Sequence, residues 1–183
     1  MSAFTPLETA HLRIRPFAVN DWQAVHAYTG DAAVMQFVDG RPMTEAQTRQ
    51  FIVENMGDEA KHVAIELMEG NHLVGHLAFH LWFGPRTYEF GWVLHPRYHG
   101  QGYATEASAA MLRYGFESLR LHRVIATCQP ENAASWRVME KLGMRREAHF
   151  RKAHLLDGET WWDEYFYAVL EEEWFAKENE ENR

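Results

Sequence analysis

Two closely spaced glycines form a candidate binding turn in this chain. Gly100 and Gly102 stand between an alternating apolar segment at residues 88–94 and a segment with helical spacing at 107–119. A turn from a strand into a helix here would aim several backbone N–H groups in one direction, because the first turn of a helix has no internal partners for them. Such a turn is suited to binding an anion, such as a phosphate group.

Two common phosphate-binding patterns do not fit this stretch. The Walker pattern ends in Gly-Lys-Ser/Thr, and no lysine follows Gly102. The dinucleotide pattern needs a Gly or Ala three residues after the second glycine, where Thr105 stands. The spacing by itself therefore predicts an anion-binding turn without naming the anion.

Other side chains are candidates for acid–base chemistry. Asn132 stands at the start of a predicted helix, and Ser135 follows one turn later on the same side, so the amide can cap the helix while the hydroxyl faces a reacting group. Glu89 lies on the strand before the glycines, where partial burial would raise its pKa and suit it to accept a proton. His76 and His80 are alternatives on the preceding strand, although each also fits a structural role.

A metal site and a cysteine nucleophile are both disfavoured. An i,i+4 histidine pair on a strand is spread by roughly 13 Å, too far for one ion. Cys128 is the single cysteine, which excludes an internal disulfide, and its place at the end of an apolar strand favours a buried hydrophobic role over an acyl-cysteine route.

Composition narrows the class of partner. The 183 residues are 46% hydrophobic and 14% aromatic, enough for one core. The formal net charge of −8 disfavours nucleic acid and anionic membranes and favours a cationic partner such as an amine. The first eight residues lack the pattern of a secretion signal, and no apolar run reaches membrane-spanning length, so we expect a soluble cytoplasmic protein.

Periodicity predicts seven strands and four helices that position these residues. Thr44 and Gln47 form a capping box at the start of one helix, and Gly143 ends another. The tail from residue 171 is expected to fray. Strands are predicted near 12–17, 63–67, 72–81, 87–94 and 123–128, from 144 onward and at 161–170, and helices near 21–30, 44–56, 107–119 and 132–142.

The stretch Arg97-x-x-Gly100-x-Gly102-Tyr103-Ala104 resembles the acyl-CoA pyrophosphate loop of the GCN5-related N-acetyltransferase (GNAT) superfamily, and the element order resembles its fold from about residue 7 to 174. Residues 7–16 and 89–94 are similar to the ribosomal-protein-alanine N-acetyltransferase (RimJ/RimL-like) branch. The resemblance implies an α+β (α/β) fold, a mixed and mostly antiparallel central sheet of about seven strands flanked by about four helices. It also implies one domain over 1–183, with a core at 7–174 and an acidic tail at 175–183.

The resemblance implies an enzyme that transfers an acetyl group from acetyl-CoA, its co-substrate, to a primary amine by direct transfer in a ternary complex. A protein N-terminus is the first acceptor to consider. A polyamine or aminoglycoside acceptor, a longer acyl-CoA donor and a non-catalytic acyl-CoA-binding or sensing module stay open. So does pairing as a homodimer, while no nucleic acid, membrane or metal is expected.

The resemblance also assigns roles to residues. Ser135 is the general acid for the leaving thiolate, and Asn132 meets the pantetheine arm. Val93 or Leu94 offers a backbone N–H to the thioester oxygen, where the strand is splayed by a bulge for which Gly91 is a candidate. Glu89 ranks first as general base. The pyrophosphate is expected to lie against Arg97, Gly100, Gln101, Gly102, Tyr103, Ala104 and Thr105.

Overall fold

The structure, a computed structural model, describes residues 4–38, 41–57 and 59–181. Its strands are β1 (Leu7–Glu8), β2 (Leu12–Arg15), β3 (His62–Leu67), β4 (His72–Leu81), β5 (Thr87–Leu94), β6 (Arg123–Cys128), β7 (Arg145–Asp157) and β8 (Thr160–Leu170). Its helices are α1 (Trp22–Thr29), α2 (Ala32–Met35), α3 (Glu45–Glu54), α4 (Tyr103–Arg113), α5 (Ala133–Lys141) and α6 (Glu171–Glu181), and a π turn at Tyr114–Ser118 follows α4.

The predicted fold class is confirmed. Neighbouring strands are hydrogen-bonded in the order β1-β2-β3-β4-β5-β6-β8-β7, and β5 with β6 is a parallel pair in a mostly antiparallel sheet. The described residues hold eight strands and six helices, more than the seven and four predicted. Of the additional elements, β1 and α2 have two and four residues, too few to show a periodic pattern, and α6 lies in the stretch that was expected to fray.

The fold divides into two compact units. The first contains Met1–Phe79 and Trp92–Ala110. Within it, helices α1 and α3 cover an apolar cluster, and the predicted capping box of α3 is present, with the Thr44 hydroxyl accepting from the Gln47 amide at 3.3 Å. The cluster is formed by Phe17, Val25, Tyr28, Ile52 and Ala64.

The second unit contains His80–Gly91 and Met111–Arg183. Strand β8 is paired on both sides, with β6 and with β7, and both pairs are antiparallel. Helix α5 ends as predicted, because Gly143 adopts a φ of 82° just after it.

The prediction of a frayed tail is wrong for most of its length, because helix α6 covers Glu171–Glu181. Glu171, Glu172 and Glu173 occupy the first turn, where negative charge favours a helix. Trp174 is buried, with its ring stacked 5.7 Å from that of Phe116. This long-range packing anchors the helix. In the part of the chain described, no helix is both long and apolar enough to cross a membrane.

Candidate active site

The glycine turn has the predicted backbone geometry. Gly100 and Gly102 have φ angles of 74° and 87°, which glycine adopts without strain. Helix α4 begins immediately afterwards at Tyr103, earlier than the periodicity indicated, and its first helical hydrogen bond runs from the Glu106 amide to the Gly102 carbonyl at 3.0 Å. The N–H groups of the three preceding residues, 103–105, therefore belong to the open first turn of a helix. A Cβ added at either glycine would meet no atom within 4 Å, so the side of the turn is open.

Several short contacts hold the segment before the turn. Pro96–Tyr98 form a 3-10 turn, and the Arg97 amide donates to His95 Nδ1 at 3.2 Å. The Gln101 side-chain amide donates to the Arg97 carbonyl at 3.1 Å, and His99 Nε2 lies 3.0 Å from the Leu94 carbonyl. Gln101 thus stiffens the turn, and the exposed Arg97 side chain lines a cavity of about 330 Å³.

Glu106, which no sequence pattern indicated, ties the start of α4 to the N-terminal strands. Its Oε1 atom accepts from the Thr9 hydroxyl at 2.6 Å and from the His11 amide at 2.8 Å. Burial by itself would raise the pKa of Glu106, but the hydrogen bonds from Thr9 and then His11 outweigh it and hold the pKa below its usual range. The partners are more than ninety residues away, so no local pattern could have indicated them.

A second missed residue is Gly75 on β4. A Cβ at this position would lie 2.3 Å from the Val93 carbonyl oxygen and 3.0 Å from Leu94 Cα. Only glycine permits this approach. At Gly91, the predicted bulge residue, a Cβ would meet no atom within 4 Å. The roles of Val93 and Leu94 toward the thioester stay predictions.

Glu89 lies where two parallel strands stop pairing. The register of β5 with β6 covers only Thr87–Glu89 opposite Arg123–Ile125, although β6 continues to Cys128. Ile125 is in turn paired with Ala168 of β8. Side chains directly opposite each other share a face of a sheet, so Glu89, Ile125 and Ala168 lie on one face and Cys128 lies on the other.

The environment of Glu89 suits a proton acceptor. Burial raises the pKa of its carboxyl, the negative charge of Glu164 raises it further, and His80 opposes the shift. A carboxylate with a raised pKa is a stronger base than an exposed one.

The predicted cap by Asn132 is confirmed, whereas the role of the Ser135 hydroxyl stays a prediction. The Asn132 side chain caps α5 by accepting from the Ser135 amide at 3.2 Å. Helix α5, which carries Ser135, lies on the face opposite Glu89, because the Tyr167 hydroxyl on that face donates to Glu140 of α5 at 3.0 Å. Burial raises the pKa of the Cys128 thiol, which lies on the same face as α5, to about 11. Cys128 therefore stays protonated at neutral pH, which opposes an acyl-cysteine route.

His76 is unsuited to take a proton from a substrate. It is buried, and its Nδ1 atom is hydrogen-bonded to the Tyr28 hydroxyl at 2.7 Å. Burial, and then the neighbouring His62, lower its pKa to about 3. His80 is less buried and lies near Glu89. Residues 4–38, 41–57 and 59–181 contain no group of three His, Cys, Asp or Glu side chains placed to hold a metal ion.

The chain and its fold match known acetyltransferases. Residues 11–145 match the acetyltransferase (GNAT) domain family. The chain is 49% identical over 168 residues to the uncharacterized N-acetyltransferase YnaD of Bacillus subtilis (strain 168), covering 92% of this chain and 98% of that protein. It is 26% identical over 168 residues to the spermidine N(1)-acetyltransferase of Escherichia coli (strain K12), covering 84% of this chain and 83% of that protein.

A crystal structure points to the same family. The GNAT-family acetyltransferase from Bacillus anthracis superposes with a TM-score of 0.88 and 51% identity, covering 92% of this chain and 99% of that one. The chain belongs to the GNAT family and is an acetyltransferase.

Proposed function

We propose that this enzyme transfers the acetyl group of acetyl-CoA directly to a primary amine. The observation that carries the proposal is the placement of Glu89 and of helix α5, which carries Ser135, on opposite faces of the sheet in the second unit, where β5 stops pairing with β6. An amine can approach from the side of Glu89 while the thiolate leaves on the side of Ser135. The donor and the acceptor then need not share one entrance.

The bond changes assign a role to each group. Glu89 takes a proton from the ammonium, through a bridging water, so that the nitrogen lone pair can attack the thioester carbonyl. The N–H of Val93 or Leu94 stabilises the oxyanion that forms. The C–S bond then breaks, and the Ser135 hydroxyl supplies the proton that converts the thiolate to CoA-SH. The new amide nitrogen loses its extra proton to water, and water returns a proton to the Ser135 oxygen.

The glycine turn anchors the donor. The pyrophosphate is proposed to accept hydrogen bonds from backbone N–H groups between Gly100 and Thr105, at the positive end of α4. Gln101 supports the turn, Arg97 adds a positive charge, and Asn132 contacts the pantetheine arm. A buried, protonated Cys128 supports direct transfer in a ternary complex over a covalent acyl-enzyme.

Two different classes of amine are candidates for the acetyl acceptor. The RimJ/RimL-like resemblance suggests a protein N-terminus, and the relationship to a spermidine N(1)-acetyltransferase suggests a polyamine. Both are primary amines, and both suit a protein with a formal net charge of −8.

The test is release of CoA thiol from acetyl-CoA in the presence of peptides, polyamines and aminoglycosides. We expect turnover with at least one class. Silence with all of them, together with tight acetyl-CoA binding, would favour a non-catalytic sensing module.

Ser135→Ala tests the acid role. We expect it to lower kcat on the order of 10²-fold or more while acetyl-CoA affinity stays nearly constant, because the hydroxyl acts only as the thiolate leaves. Ser118→Ala, at an exposed position in the π turn, is the matched control. An unchanged kcat would remove Ser135 from the mechanism.

A further inference from the structure

An aromatic surface of the second unit adjoins the proposed base and is not used by the steps above. Trp82 and Phe83, at the tip of the β4–β5 hairpin, are 46% and 77% exposed, and Phe150 on β7 is 49% exposed. Single exposed apolar residues are common on protein surfaces, but a contiguous group of rings beside a reactive carboxylate is a feature of ligand sites.

The rings contact one another in a connected row. The Trp82 ring centroid lies 5.5 Å from that of Phe166 on β8, and Phe166 lies 6.2 Å from Phe150. The Trp82 amide donates to the Thr87 carbonyl at 3.0 Å, which fixes the base of the hairpin. The backbone at Trp82 is therefore held in place, and ring contacts with Phe83 and Phe166 orient the indole.

The row lies on the same face as Glu89. Ala168 shares that face through Ile125, and Phe166 and Glu164 follow at every second residue along β8. Glu164 is also the cross-strand partner of Phe150. We call the set Trp82, Glu89, Phe150, Glu164 and Phe166 the aromatic–acidic face.

The charges on this face are unequal. The Glu164 carboxylate is 19% exposed and lies 2.9 Å from His154 Nε2, so it already has a hydrogen-bond partner. His80 is the other titratable group near Glu89, and its charge lowers the pKa of the Glu89 carboxyl. Among the residues that the structure describes, the Glu89 carboxylate has no side-chain hydrogen-bond partner, so it is the carboxylate of this face that a substrate ammonium can meet.

Peptide backbone is a poor match for the same surface. Strand β8, which carries Phe166 and Glu164, is paired with β6 on one side and with β7 on the other, so its backbone N–H and C=O groups are committed to the sheet. A peptide laid across the face would bury amide groups against rings without partners, which is costly.

We infer that the aromatic–acidic face binds an acceptor with one ammonium group on an apolar carbon skeleton, an alkyl or arylalkyl monoamine. The inference rests on the proposed function and narrows its substrate class. Glu89 meets the reacting nitrogen, and the skeleton lies along Trp82, Phe166 and Phe150.

A homologous amine series tests this directly. For n-propylamine to n-hexylamine, kcat/KM should rise about fourfold per methylene, the factor expected for burying one CH₂. Hexylamine should exceed 1,6-diaminohexane of the same length by about tenfold, because the second ammonium would be desolvated against rings. A tripeptide beginning with alanine should also be poorer than hexylamine.

Variants connect the effect to the face. Trp82→Ala should flatten the dependence on chain length, lowering kcat/KM for hexylamine by roughly tenfold while leaving that for propylamine nearly unchanged. Trp82→Phe should restore most of the slope. Trp161→Ala is the matched control, since this tryptophan is 50% exposed on β8 but points to the opposite face by strand alternation. Thermal unfolding of each variant checks that the fold is retained.

The outcomes separate the two proposals. If kcat/KM does not change from propylamine to hexylamine, or is higher for the diamine or the peptide than for hexylamine, this inference is overturned while the acetyltransferase proposal stands. Equal losses in Trp82→Ala and Trp161→Ala would overturn it as well. Silence with every amine would overturn both.

Discussion

Gly75→Ala is expected to damage both folding and catalysis through one added methyl group. The new Cβ would lie 2.3 Å from the Val93 carbonyl oxygen, 2.5 Å from Leu94 Cδ2 and 3.0 Å from Leu94 Cα. A carbon and a carbonyl oxygen normally stay about 3.3 Å apart or more, so the strands must separate by about 1 Å. Two of the three contacts are to backbone, which cannot move away by changing a rotamer.

The loss of stability follows from this clash. Overpacking a rigid site costs about 1–3 kcal/mol, and we expect the upper end here. For a chain of this size, 1 kcal/mol corresponds to about 2–4 °C in Tm, so Tm should fall by about 6–12 °C.

The loss of activity has a separate cause. The Val93 carbonyl and the Leu94 N–H belong to one planar peptide group, so displacing the oxygen turns the N–H that we propose for the oxyanion. A displacement of about 1 Å in a reacting geometry can cost on the order of 10²-fold in rate. At temperatures where the variant is folded, kcat should fall by that order.

Gly91→Ala on β5 is the matched control. Its Cβ would meet no atom within 4 Å, so Tm should be unchanged or higher by a few degrees. Thermal unfolding and acetyl-CoA turnover of both variants are the measurements. If Gly75→Ala keeps the wild-type Tm and kcat, or if Gly91→Ala is equally damaged, the argument from close approach is refuted.

Two further predictions concern pH. Because burial raises the pKa of Glu89, the kcat/KM of the wild-type enzyme should begin to fall at a pH above the ordinary carboxyl range. Glu89→Gln should have a low kcat/KM that does not show this decline. If the variant has the same pH profile as the wild type, Glu89 is not the base. Because the folded-state pKa of His76, about 3, lies below the ordinary value of 6.5, its contribution to stability is complete above pH 6.5 and is lost as pH falls toward 3. The loss in the free energy of unfolding is about 2 kcal/mol at pH 5. Measured by urea unfolding between pH 7 and 5, the free energy of unfolding of His76→Gln should fall less steeply than that of the wild type. An equal slope would show that another group causes the pH dependence.

Local features of the site were predictable from sequence because their partners are close in the chain. The Asn132 cap depends on Ser135, three residues away, and the positive φ angles of Gly100 and Gly102 are properties of the residues themselves. The order of the longer strands and helices followed from periodicity for the same reason.

Contacts between distant segments could not be found in this way. Glu106 acts through Thr9 and His11, and Gly75 matters because of Val93 and Leu94. Helix α6 was missed because its acidic composition indicates a solvated tail, whereas Trp174 is buried against Phe116.

The sequence by itself determined the family, the element order and the position of the glycine turn, because each is encoded by spacing along a few residues. Only the tertiary structure decided which face each functional side chain occupies. Strand alternation assigns two faces without saying what covers them, and register decides which side chains meet. That is why Glu89 could be named from its strand, while its aromatic neighbours from β7, β8 and the β4–β5 hairpin appear only once the strands are paired.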